Sequence, residues 1–82
     1  MDFVVLENGK VRELIQVSLR LDDEKTRKRE FLALLHASKR LKCKNLTVIT
    51  LDEEGVEDIS LYGMKGRIKL IPLVKWLLDS RP

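Results

Sequence analysis

Between Lys10 and Leu51 the chain reads KVRELIQVSL, then, after a short link, EKTRKREFLALLHASKRLK, and then NLTVITL. The outer two stretches are apolar and β-branched. Between them Phe31, Leu34, Leu35, Ser38 and Leu41 recur at helical spacing, with Leu32 widening the stripe. A strand, an amphipathic helix and a strand in succession close as a right-handed crossover, so the strand ending near Ser18 and the strand in NLTVITL are expected to run parallel. The near-continuous apolar run of the latter suits a central strand buried on both faces. Asp22 and Asp23 offer caps for a helix expected from Lys25 to about Lys42.

The remaining elements attach to this unit. Asn8-Gly9 separates DFVVL from KVRELIQVSL and is a strong two-residue hairpin signal. EDISLYG and GRIKLIP form a second expected hairpin, turning around Gly63 to Gly66, and LVKWLLDS follows as a short helix with Pro72 near its start. The expected order is β-β-α-β-β-β-α, a mixed-sheet α+β fold in one domain. No linker, repeat or low-complexity segment divides the 82 residues.

Several functional classes fall away. No apolar run approaches the ~18 residues that cross a membrane, and Asp2 stands where a secretory leader would be basic, so a cytoplasmic protein without a membrane partner is expected. The abundance of Lys, Arg and Glu suits a thermophile. Cys43 is single, which leaves no disulfide framework and no CxxC knuckle, and it is expected as a small, partly buried residue near a helix end. His36 reads as a partly exposed helical residue rather than a ligand. The Asn45-Leu46-Thr47 sequon reads as strand entry, and GMKG as a hairpin turn rather than an RNA-binding loop, which would join two helices. No phosphate-binding GxxxxGK[ST] loop is present.

Charge is unevenly placed. Lys25, Arg27, Lys28, Arg29, Lys39, Arg40, Lys42 and Lys44 face only Glu30 between positions 25 and 44, while Asp52, Glu53, Glu54, Glu57 and Asp58 form an acidic segment without a base. The helix face carrying Lys25, Arg27, Lys28, Arg29, Lys39 and Arg40 is a candidate nucleic-acid footprint. An ordinary solvated face, partly neutralised by the acidic segment, is the favoured reading because no aromatic side chains interleave to stack on bases.

Four segments, DFVVLENGKVRELIQVS, TRKREFLALLHASKRLK, NLTVIT and IKLIPLVKWLL, together resemble the C-terminal domain of archaeal AAA-like P-loop ATPases, which is similar in outline to the PD-(D/E)xK, or restriction-endonuclease-like, fold. The resemblance covers nearly the whole chain and implies that Asp2 matches the metal-binding Asp, Gln16 the following acidic or Gln position, and Ser18 the catalytic Lys. It would make Asp2 and Gln16 the ligands of a Mg²⁺ ion if activity remained. Against that pattern the sequence starts one residue before the Asp, so loss of the preceding helix, strand and ATPase module is expected, and Ser18 has no positive charge to polarise a water or stabilise developing negative charge. The resemblance therefore implies a free-standing remnant or a fragment, non-catalytic and used for interaction. A metal-dependent nuclease or a DNA-binding module is the alternative.

Hairpin register decides whether the inherited site could assemble. Unbroken pairing from a two-residue turn sets Leu6 opposite Val11 and Asp2 opposite Ile15, leaving Asp2 and Gln16 on opposite faces. A bulge or an odd-length loop is needed to bring Asp2 opposite Gln16. Alternation places Val11, Ile15, Val17 and Leu19 on one face of the second strand and Leu14 on the other, while Phe3 and Val5 share one face of the first strand and Val4 and Leu6 the opposite one. One helix covers only part of this surface, and DFVVL has neither Pro nor Lys to protect a sheet edge. A homodimer is expected, with Phe3, Val5 and Leu14 as contact residues.

Overall fold

The computed structural model describes residues 3–79. Its strands are β1 (Phe3–Glu7), β2 (Lys10–Val17), β3 (Leu46–Thr50), β4 (Gly55–Leu61) and β5 (Met64–Pro72), with α1 (Glu24–Leu41) between β2 and β3 and α2 (Leu73–Asp79) after β5. They form a mixed sheet in the order β1-β2-β3-β5-β4, parallel on both sides of β3 and antiparallel within the two hairpins. The fold is α+β, with the element order that the sequence pattern implies.

β3 is the centre. All five of its residues are buried, and its side chains alternate between two covered faces. On one face Leu46 and Val48 join Leu14, Ile68 and Leu70 beneath Phe31, Leu34, Leu35 and Ala37 of α1. On the other lie Thr47 and Ile49, beside Ile15 of β2, and α2 packs against β3 and β5. Leu21, in the link from β2, and Cys43, just past the helix, seal the two ends of the α1 core.

The helix starts at Asp23, whose backbone is extended and whose carboxylate accepts a hydrogen bond from Thr26 Oγ1 at 2.9 Å. It ends at Lys42, which adopts the left-handed conformation (φ 55°, ψ 44°), and the backbone N–H groups of Lys42 and Cys43 both reach the carbonyl of Ser38. Glycine is the usual residue in such a cap because a Cβ clashes there.

Both hairpins use two-residue turns with two positive φ angles, Asn8-Gly9 (55° and 78°) and Tyr62-Gly63 (50° and 78°), the type I′ geometry that matches strand twist. The second turn therefore lies earlier than the Gly63 to Gly66 span read from sequence, and Gly66 belongs to β5, opposite Ile59. In the first hairpin Leu6 pairs with Val11 but Val5 pairs with Glu13, so Arg12 is an extra, bulged residue. This corrects the alternation expected for β2. Val11 turns toward the α1 core with Leu14, not onto the face of Ile15.

Gly66 explains how closely α1 approaches the sheet. A Cβ there would stand 2.6 Å from Leu35 Cδ2 and 3.2 Å from Leu46 Cδ1. Gly66→Ala is expected to destabilise the fold by about 1–3 kcal/mol through overpacking, as a lowered urea midpoint would show, and an unchanged midpoint would mean that the helix has room to lift.

Candidate functional site

The bulge at Arg12 is the shift that a site shared by both strands of the hairpin requires, and Phe3 accordingly faces Ile15. Asp2 lies outside the described residues. Gln16 is buried on the α1 side of β2, where its Nε2 donates a 2.7 Å hydrogen bond to Glu30 Oε2. Its carbonyl oxygen is buried without a hydrogen-bond partner among the described residues. Ser18 continues the strand by donating its backbone N–H to Ile49 O at 2.8 Å.

Mg²⁺ takes near-octahedral oxygen coordination, usually through one or two carboxylates with several waters retained. The described residues bring one amide oxygen and the Glu30 carboxylate to this point. Among them no three His, Cys, Asp or Glu side chains gather to hold a metal ion. Within the described residues the Gln16–Glu30 bond is a polar tie between β2 and α1. Glu30 is the member that sequence periodicity missed, because its partner lies across the core.

The basic residues of α1 separate into two groups. Arg27 is turned inward: its side chain is 21% exposed, it donates to both carboxylate oxygens of Glu53 at 2.9 and 3.0 Å, and it pairs with Glu57. The guanidinium also lies 5.1 Å from the centre of the Phe31 ring. Glu53 is itself fixed by Thr50, whose Oγ1 accepts from the Glu53 N–H and donates to its carbonyl oxygen. Arg27 thus ties α1 to the acidic segment and is withdrawn from the proposed footprint. Arg29 lies 3.8 Å from Glu30, and Lys28 Nζ is 5.3 Å from the Tyr62 ring centre. Lys25, Lys39 and Arg40 are exposed. Across the second hairpin Arg67 hydrogen-bonds Asp58 and holds that carboxyl below its usual range.

The three expected contact residues also separate. Phe3 and Val5 are exposed on the edge strand, 49% and 36%. Leu14 is completely buried beneath α1 and is corrected from a contact residue to a core residue, because β2 is an interior strand of the sheet. Trp76 of α2 stacks on Phe3, with ring centres 6.5 Å apart and planes 22° apart. Val4 and Leu6 are exposed as well, and Val74, Leu77 and Leu78 of α2 add further open apolar surface. The opposite edge, β4, instead carries Glu57 and Asp58, both in ion pairs.

Over 80 residues, 95% of its length, the chain is 38% identical to an uncharacterized protein of Methanocaldococcus jannaschii, and it spans 18% of that protein's length. No family model and no solved structure matches the chain. Among the described residues no helix is long and apolar enough to cross a membrane.

Arg27 is the sole cation holding Glu53 and Glu57 among the described residues. Arg27→Ala is expected to cost about 1–2 kcal/mol, the range for charge-assisted hydrogen bonds at a partly exposed site, measured by chemical denaturation. A loss below the error of that measurement would reduce the contact to a surface ornament.

Proposed function

We propose that this chain is a non-catalytic, degenerate nuclease-fold domain that acts by self-association, and that two copies join along β1. The open edge of β1 carries this reading. Every residue of the strand is exposed and four of the five are apolar, while its outer backbone groups have no neighbouring strand among the described residues. Such an edge lacks the Lys, Pro or inward charge that normally keeps chains apart. Its one bulge, at Arg12, lies on β2.

A second copy is a suitable occupant because the strand is self-complementary. Antiparallel pairing about a two-fold axis at Val5 places Glu7 beside Phe3 of the partner subunit. The two Glu7 carboxylates then lie four positions apart along the strands, roughly 13 Å, so no like charges face each other. Each Glu7 is already matched by Arg12 of its own chain. Phe3, Val5 and the stacked Trp76 would extend the contact onto one sheet face, and Val4 and Leu6 onto the other, toward the ~1,200 Å² that stable interfaces bury.

The resemblance of the first hairpin, α1 and β3 to the nuclease-like domain supports the descent. Ser18 in place of a cation, and a neutral Gln16 engaged by Glu30, support the loss of cleavage.

Light scattering is expected to give a dimer mass at micromolar concentration, and Val5→Lys, which sets an ammonium at the two-fold axis, is expected to give a folded monomer. A wild-type monomer across that range would end the proposal. In a separate assay, no Mg²⁺- or Mn²⁺-dependent DNA cleavage is expected from the wild-type chain, with at most a trace restored by Ser18→Lys together with Gln16→Glu. Readily detected wild-type cleavage that Asp2→Asn abolishes would restore the metal-dependent nuclease.

A further inference from the structure

The C-terminal turn of α1, the loop that follows it and the start of β5 form a groove of about 430 Å³ lined by Lys39, Lys42, Lys44 and Lys65 together with Gly63 and Met64. No acidic residue lines it. None of the four lysines forms an ion pair with a described residue, although six ion pairs occur elsewhere among the described residues. The groove adjoins a second one of about 520 Å³ that shares Lys44 and Lys65 and adds the ion-paired Arg67 and Asp58.

We propose that this groove binds a compact chain of linked phosphates, the chemistry common to inorganic polyphosphate and to the triphosphate of a nucleotide. Three features point there. The helix dipole favours cations at the end of α1 and accounts for Lys39, but a separate hairpin brings Lys65 to the same groove. Lys42 occupies the left-handed cap position where glycine is favoured, so an ammonium stands there against a steric penalty. Four like charges around one concavity repel one another, and a polyanion reverses that repulsion.

The shape favours a compact ligand over a long one. The groove volume falls within the range of small-molecule sites. A duplex laid along the rest of α1 would meet Glu24 on the helix and, beside its first half, Glu53 and Glu57, which share the single cation Arg27. No aromatic side chain lines the groove, so recognition falls on the phosphates rather than on a base.

Tripolyphosphate, ATP, AMP and a random-sequence DNA duplex are titrated separately at low salt by calorimetry. Tripolyphosphate is expected to bind, with salt-dependent affinity, and AMP to bind at least roughly tenfold more weakly, since losing one charge-assisted contact costs about that much. ATP matching tripolyphosphate assigns the site to the phosphate chain alone, and tighter binding of ATP assigns it to a nucleotide. Lys44→Gln with Lys65→Gln should lower tripolyphosphate affinity by more than tenfold. Arg20→Gln with Lys75→Gln removes equal charge beyond the C-terminal ends of β2 and β5, at the far end of the sheet, and should change it by less than twofold. Lys42→Gly should raise the melting temperature while weakening binding, which separates loss of the site from loss of the fold. Equal losses in the two double variants, binding of the duplex without tripolyphosphate, or no binding at all would overturn the proposal.

Discussion

The structure depends on the burial of β3 between two parallel neighbours. Its five residues give up solvent on both faces, so their backbone groups must be satisfied within the sheet. β2 and β5 do this, and each then brings an antiparallel partner through a two-residue turn. The crossover helix lies over one face because a right-handed connection leads it there. Gly66 lets that helix settle closely, since the side chain of Leu35 occupies the space that a Cβ would take.

Charge follows this frame rather than the order of residues. Arg27 meets Glu53 and Glu57 at the edge of the core, where partial desolvation strengthens the contact and the acidic segment is drawn against the helix. The bases at the other end of α1 have no such partners among the described residues. Lys39, Lys42 and Lys44 instead line one groove with Lys65, which lies on the second hairpin. A segment that reads in sequence as one basic face is thus two environments: a structural ion-pair network and a concentrated positive field.

The two sheet edges differ in a related way. β4 holds its acids in ion pairs with Arg27 and Arg67, and hydrated charge discourages another strand from docking there. β1 presents Phe3, Val4, Val5 and Leu6 to solvent. The short α2 reaches Phe3 through Trp76, yet none of its residues is buried. Apolar surface therefore remains open on the side of the sheet away from α1, continuous with the unpaired edge.

The sequence by itself determined the elements, their order, the parallel crossover and the first turn, because those follow from local periodicity and from backbone chirality. Phe31, Leu34 and Leu35 could be placed in the core from their spacing alone, and Asn8-Gly9 from its tolerance of positive φ. Only the tertiary structure decided the bulge at Arg12, which moves Val11 to the other face, and the turn at Tyr62, where a bulky residue accepts a left-handed backbone that its chemistry does not advertise. It also decided that Leu14 is core, that Gln16 meets Glu30 and that Lys65 joins the lysines of α1. Each of these rests on contacts between segments distant in the chain, where a shift of one residue or one strand position exchanges the partners while leaving the local pattern unchanged.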